Sequence, residues 1–346
     1  MIRRLSLFVV ALCALAISAC GSSDALEGKD AAGVLKETFG PDHPVRSGRL
    51  ALNLRFDATG LGIKGPINAR LSGPFQSNGG KTLPSVDLSL ALTAGEDSLS
   101  AGIVSTGEKG YLKLADQVYD AGDDLYKSLN DSYRAASTQT DKESESRSPL
   151  ASLGIEPLRW LKAPKTAGEE DIGGTKTVHV TADVDVAKLL QDVDTLLAKA
   201  PDLNVPGAEQ VPTRLSAKQR ATIAEAVKKA GFDVWSGKAD GALRRMRAEV
   251  SFDVPESARK GVGGLRSGTI VIDLTLSQLN EEQEIKAPAG ARPLSELTGT
   301  TASGGGGTAP PAAPSASGGD SQYLQCLESA GSDLKKVQQC ASLLGQ

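Results

Sequence analysis

Few residues of this 346-residue chain can do chemistry. Four cysteines stand at positions 13, 20, 326 and 340, and two histidines at 43 and 179. Two imidazoles leave almost no raw material for histidine-based metal sites or for Ser-His and Cys-His catalysis. His43 lies in Pro41-Asp42-His43-Pro44, a turn sequence, and His179 alternates with Val178 and Val180 on the polar phase of a strand. Asp183, Asp185, Asp192 and Asp194 lack the spacing and glycine of a calcium loop, and carboxylates at a helix start serve its cap and dipole. Glu169, Glu170 and Asp171 are expected in a glycine-flanked loop, solvated rather than arranged as a glycosidase pair. The stretch SNGGKT at 77–82 ends like a phosphate-binding loop, but Phe75 stands where its first glycine is required. There is no Gly-x-Ser-x-Gly elbow. These residues assign no catalytic group, metal ligand or cofactor, and the chain reads as a non-enzyme.

The cysteines carry more information. Arg3 and Arg4 precede an apolar run from Leu5 to Ile17, 13 residues long. That is too short to cross ~30 Å of hydrocarbon as a helix but fits the core of a signal peptide. The run ends in Ile17-Ser18-Ala19-Cys20, which resembles the bacterial lipobox. The resemblance implies a signal peptide over residues 1–19, cleavage before Cys20, and acylation of its thiol. An ordinary secretory signal with a chance cysteine is the alternative. The mature chain then has 36 basic and 42 acidic residues, a net charge of −6. Such a protein gains nothing from anionic lipid surfaces, so its membrane attachment rests on acyl chains at Cys20. Residues 20–29 form a lipidated tether of at most about 30 Å.

After processing, Cys326 and Cys340 remain as an even pair in an exported chain, which favours a disulfide. Around them, Tyr323, Leu324 and Leu327 mark one short amphipathic helix, Gly331 a stop, and Val337, Leu343 and Leu344 a second helix opened by Asp333. Two helices this short do not hold together by burial alone, and a cross-link contributes about 3 kcal/mol in the chain-entropy account. Two reactive or metal-binding thiols are the alternative, with no histidine nearby to support it. Residues 299–320 are a Gly/Ala/Pro/Ser tract, read as a flexible linker between a main domain, 30–298, and a two-helix disulfide hairpin, 321–346.

The composition, 40% hydrophobic and 4% aromatic, calls for a folded core built from aliphatics. Near-balanced charge argues against a nucleic-acid partner. Within 30–298, apolar and polar residues alternate with period two. Leu50, Leu52, Leu54 and Phe56 share one phase, as do Val86, Leu88, Leu90 and Leu92, and Ile270, Ile272, Leu274 and Leu276. Such strands have one buried and one wet face, the mark of an antiparallel sheet. Helices are expected at 122–138, 185–199 and 216–230, with a shorter apolar segment at 150–162. The result is an α+β fold: about ten strands in one large curved sheet, with amphipathic helices across its apolar face.

The lipobox, the strand series from Arg49 to Tyr119, and the hairpin FDVWSGKADGALRRMRAEVSFDV followed by GTIVIDLTLSQLN resemble the half-barrel lipoproteins of the bacterial envelope. These are the LolA-like fold, in particular the mycobacterial LppX/LprA/LprF/LprG group. The resemblance covers about residues 30–290; the linker and Cys326/Cys340 hairpin depart from it. It implies a half-barrel whose concave face holds a lipid under the helices, on the outer side of the cell membrane. The expected ligand-binding residues are Leu52, Leu54, Phe56, Leu88, Leu90, Leu92, Ile272 and Leu274, with Trp160 as cavity lining and Arg244 meeting an anionic group at the mouth. For Trp160 and Trp235, core packing is the competing reading, and for Arg244 a solvated rim position. The competing function is a non-enzymatic scaffold lipoprotein with a fully packed core and the hairpin as a docking module. No protein partner can be named from the sequence.

Overall fold

A computed structural model describes residues 25–40, 43, 45–60, 62, 65–79, 82–141, 156–199 and 214–298. The expected signal peptide, Cys20, and the expected linker and hairpin with Cys326 and Cys340 lie outside the described residues. The alternating segments form twelve strands: β1 Ser47–Thr59, β2 Ile67–Gln76, β3 Ser85–Ala94, β4 Asp97–Ser105, β5 Gly110–Leu114, β6 Gln117–Asp120, β7 Leu161–Ile172, β8 Thr175–Val184, β9 Val227–Gly237, β10 Leu243–Asp253, β11 Ser267–Ser277 and β12 Arg292–Pro293. They make one open, curved sheet in the order β12-β6-β5-β4-β3-β2-β1-β11-β10-β9-β8-β7. Every neighbouring pair is antiparallel except β12 beside β6. The chain meanders from β1 to β6, crosses to the far edge at β7, and meanders back until β11 closes against β1.

Among the described residues, seven α-helices accompany the sheet: α1 Ala31–Thr38, α2 Asp123–Asp141, α3 Pro157–Trp160, α4 Val186–Lys199, α5 Ala217–Ala226, α6 Glu256–Arg259 and α7 Leu294–Thr298. Asp30 caps α1 by accepting the Gly33 N–H at 2.8 Å. Its Ala31, Val34, Leu35 and Thr38, spaced along one stripe, are buried. Ser216 and Gln219 form the expected reciprocal capping box of α5. That helix ends at Ala226 rather than at 230, and the chain turns directly into β9, because Ala230, Phe232 and Val234 follow the sheet's period. The expected apolar segment at 150–162 is helical only over Pro157–Trp160.

Two strands exceed the expected ten. Glu169, Glu170 and Asp171, expected in a glycine-flanked loop, lie in β7 instead. At the edge of the sheet, β7 has no second strand neighbour among the described residues to demand alternation. It carries Lys162, Pro164, Lys165 and two register irregularities, features that discourage pairing with another chain. β12 has only two residues, too few for any periodic signal. In β2, Gly73 approaches β3 so closely that a Cβ there would lie 1.9 Å from the Asp87 carbonyl oxygen. Only glycine fits.

Candidate functional site

Pairing register turns the alternation into continuous apolar rows across the sheet. One row runs Leu114, Ala101, Leu90, Leu71, Leu52, Leu274, Met246, Val234, Val180, one residue from each of nine strands, β5 to β8. The next runs Leu99, Leu92, Ala69, Leu54, Ile272, Ala248, Phe232, Ala182. Six of the eight expected aliphatic and aromatic contacts thus fall in these two rows or beside them as cross-strand neighbours: Leu52 with Leu274, Leu54 with Ile272, and Leu90 and Leu92 two strands away. Phe56 pairs with Ile270 and stacks on Phe252 at 6.3 Å, and Leu88 faces Ile103.

The rows are not covered evenly. Over β8–β10 they are closed by α1 and by Trp160: Leu26, Val34, Leu35, Trp160, Val178, Val180, Phe232 and Val234 form one buried cluster. At the other end, α2 is pinned to the face by Tyr126, whose hydroxyl hydrogen-bonds Ser105 at 3.0 Å, and by Asn130, which accepts the Leu83 N–H at 2.8 Å. Between these lids the face is open among the described residues. Leu54 is 36% exposed, Leu90 39% and Ile103 50%, while Leu52, Leu88, Leu92, Ile272 and Leu274 are half-buried. Large aliphatics at the middle of a sheet are normally the best covered, so exposed ones there are the departure to be explained. Ile103 was absent from the sequence-based set, although Leu99, Ala101 and Ile103 alternate; Gly102 and the buried Val104 on the other phase obscured the signal.

Trp160 belongs to the closed part of the face. It is 5% exposed, meets Phe232 edge to face at 5.2 Å, and donates its indole N–H to Asp192 at 3.1 Å. This is the packing role, not cavity lining. Asp192, expected to serve the cap and dipole of its helix, lies in the middle of α4, is 2% exposed and also accepts the Glu156 N–H at 2.8 Å.

Arg244 also departs from its expected place. β10 has one extra residue between Leu243, opposite Ser236, and Arg245, opposite Trp235. Arg244 is that bulged residue, so counting by twos along the sequence puts it on the wrong face. Ser236 bonds Thr38 of α1, and successive strand residues point to opposite sides, so Gly237 presents its side away from α1. The guanidinium carbon of Arg244 lies 3.4 Å from where a Gly237 side chain would begin. It ion-pairs with Asp240 at 2.5 Å, and its Nη1 is buried without a hydrogen-bond partner among the described residues. The apolar mouth therefore has no Arg244.

The polar face has its own organisation. His179, expected to be exposed, has a side chain only 13% exposed, sandwiched against Trp235 with ring centroids 4.2 Å apart. Its Nδ1 lies 2.8 Å from Glu170 and its Nε2 3.0 Å from Asp233. Trp235 donates its indole N–H to Glu170 at 2.9 Å, and this bond, then His179, holds the Glu170 carboxyl below the usual carboxylate range. Arg245 lies over the Trp235 ring and grips Asp273 through two nitrogens, which raises the guanidinium's pKa. A groove of about 530 Å³ borders this network, lined by Asn53, Arg55, Asp171, Arg245, Arg247 and Asp273. Its cations already hold carboxylates: Arg55 has Asp57 and Arg247 has Glu249. The arrangement joins β7 to β11 through Glu170, His179, Trp235, Arg245 and Asp273. No group of His, Cys, Asp or Glu able to hold a metal occurs among the described residues.

No protein-family model matches this sequence, and no curated protein does. Among solved structures, the chain is similar to LprF from Mycobacterium bovis at 13% identity and a TM-score of 0.36, covering 78% of this chain and 100% of that one. It is similar to the Mycobacterium tuberculosis lipoprotein LppX at 17% identity and a TM-score of 0.34, covering 74% and 98%. A LolA superfamily protein from Nitrosomonas europaea matches at 7% identity and a TM-score of 0.18, covering 73% and 96%. Likeness of this size names neither a ligand nor a partner for this chain. The matched structures carry the same group names, LprF, LppX and LolA, as the half-barrel proteins that the sequence resembles.

Proposed function

We propose that this protein is a lipid-anchored, extracytoplasmic envelope protein that holds an apolar, lipid-like ligand against the open middle of its sheet and catalyses no reaction. One observation carries the reading: in-register aliphatic rows end in a closed core on one side and under α2 on the other, leaving Leu54, Leu90 and Ile103 uncovered between them. An apolar molecule there would recover burial worth ~1.5–3 kcal/mol for each fully covered side chain. The contact set is Leu52, Leu54, Phe56, Leu88, Leu90, Leu92, Ile272 and Leu274, joined by Ile103; Trp160 and Arg244 are left out. Anchoring belongs to Cys20 after removal of residues 1–19, and Cys326 and Cys340 are bonded to each other.

The test is native mass spectrometry of the protein purified from membranes, with saturable uptake of a fluorescent fatty-acyl probe measured beside it. A retained lipid or saturable uptake is expected. Neither, together with strong destabilisation by bulky residues on the open face, would favour a scaffold with a fully packed core.

A further inference from the structure

The described chain ends at the edge of the sheet that carries the open face. α7, Leu294–Thr298, follows β12, which pairs with β6 at the sheet edge. β4, with Ile103, lies three strands in from β12, and β1, with Leu54, lies six. At ~4.8 Å per strand these are separations of about 14 and 29 Å. Residues 299–320 are 22 residues rich in Gly, Ala, Pro and Ser, and a coil of that length has a root-mean-square span of about 25 Å. Reach and distance match, the condition under which a tether gives its highest effective concentration, in the millimolar range.

What hangs on that tether is apolar and small. Residues 321–346 include Tyr323, Leu324, Leu327, Val337, Leu343 and Leu344, and a segment of this length is too small to bury them in a core of its own. α2 adds exposed leucines beside the same region: Leu125 at 44% and Leu129 at 49%, one turn apart and each adjacent in sequence to an anchoring residue, Tyr126 and Asn130.

We infer that the C-terminal segment 321–346 of this chain is the occupant of the open apolar face when no ligand is there, and that it competes with ligand for it. The inference rests on the proposed function, since it takes the same face as the binding surface. Competition in cis is governed by effective concentration over intrinsic affinity. At about 1 mM, a segment binding with a Kd near 0.1 mM weakens apparent ligand affinity about tenfold, and one binding near 1 mM weakens it about twofold.

The experiment places a protease site in the linker of the full chain. Uptake of the fluorescent fatty-acyl probe is then measured before and after cleavage, with both pieces still present. Cleavage drops the segment from millimolar effective to micromolar bulk concentration, so probe affinity should rise about two- to tenfold. Excess synthetic 321–346 peptide should reverse the rise, and Leu327→Asp with Leu343→Asp in the uncut chain should reproduce it. Hydroxyl-radical footprinting of Leu90 and Ile103 should show more oxidation after cleavage. Saturable uptake that is unchanged by cleavage overturns this inference and leaves the proposed function standing. No saturable uptake either before or after cleavage overturns both.

Discussion

Trp160 donates its indole N–H to Asp192 across 3.1 Å, joining the end of α3 to the middle of α4 inside the closed part of the core. The same carboxylate accepts the Glu156 N–H and lies 3.4 Å from the Arg159 guanidinium, so a 2%-exposed charge is fully engaged. Asp192→Ala should leave the buried indole and amide donors without acceptors and cost about 2–4 kcal/mol. Trp160→Phe keeps much of the contact with Phe232 and should cost less. Urea denaturation of both variants checks the order; equal stability of Asp192→Ala and wild type would remove the bond from the stabilising set.

Arg244 predicts the opposite sign. Its pair with Asp240 is half exposed on the acid's side and contributes ~0–1 kcal/mol, whereas its buried Nη1 has no partner among the described residues. Arg244→Met keeps the apolar stem and removes the unpaired donor, so stability should stay level or rise by about 1 kcal/mol. Uptake of an anionic fatty-acyl probe should not change. A clear loss of uptake would return Arg244 to the ligand site.

The Glu170 carboxyl is depressed below its usual value of 4.5, first by the Trp235 indole and then by His179. A carboxylate with a lowered folded-state pKa adds stability above its unfolded pKa and loses it as pH falls through the folded value. Thermal midpoints should therefore fall with acidification below about pH 4.5, and Glu170→Gln should flatten part of that fall. Glu37, depressed by Lys29 and His43, supplies another part and should be unaffected by the substitution. Identical acid limbs for wild type and Glu170→Gln would show that the Trp235 bond does not persist in solution.

The sheet was legible because period-two alternation survives in most of the strands that have two neighbours, β1, β3 and β11 most clearly. The rows through Leu52 and Leu54 follow from phase alone once register is known. What could not be read has local causes. An edge strand such as β7 need not alternate, a single inserted residue at Arg244 inverts the phase, and the helix expected through residue 230 stops at Ala226 because sheet pairing outweighs its continuation. The candidate site was half legible for the same reason. Alternation says which residues share a face, but only coverage by α1, α2 and Trp160 separates the closed end from the open middle. His179 shows the limit from the other side: its phase was polar as expected, yet Trp235 on the neighbouring strand buries it.

Cys20 anchors the chain under the proposed function, and Cys20→Ala separates anchoring from folding. The variant should appear in the aqueous fraction of lysed cells instead of the membrane, with its thermal midpoint unchanged, because α1 begins ten residues later at Asp30 and Ala31. Membrane retention of a processed Cys20→Ala protein would place the anchor elsewhere.

Leu90 and Val234 lie in one apolar row, and the two ends of that row should respond oppositely to added volume. Val234 is 1% exposed in the closed cluster, touching the layer formed by Val34 and Leu35 of α1. Val234→Phe should overpack it and cost about 1–3 kcal/mol. Leu90 is 39% exposed, with Leu71 and Ala101 as its row neighbours. Leu90→Trp has room and should change stability by less than about 0.5 kcal/mol. The indole would then stand where the acyl chain is proposed to lie, so probe uptake should fall severalfold in Leu90→Trp, and likewise in Ala69→Phe one row away. Val234→Phe should lower the denaturation midpoint while leaving uptake by the folded fraction intact. Comparable destabilisation by all three substitutions, with no saturable uptake by the wild type, would mean the whole row is packed core and the protein a scaffold.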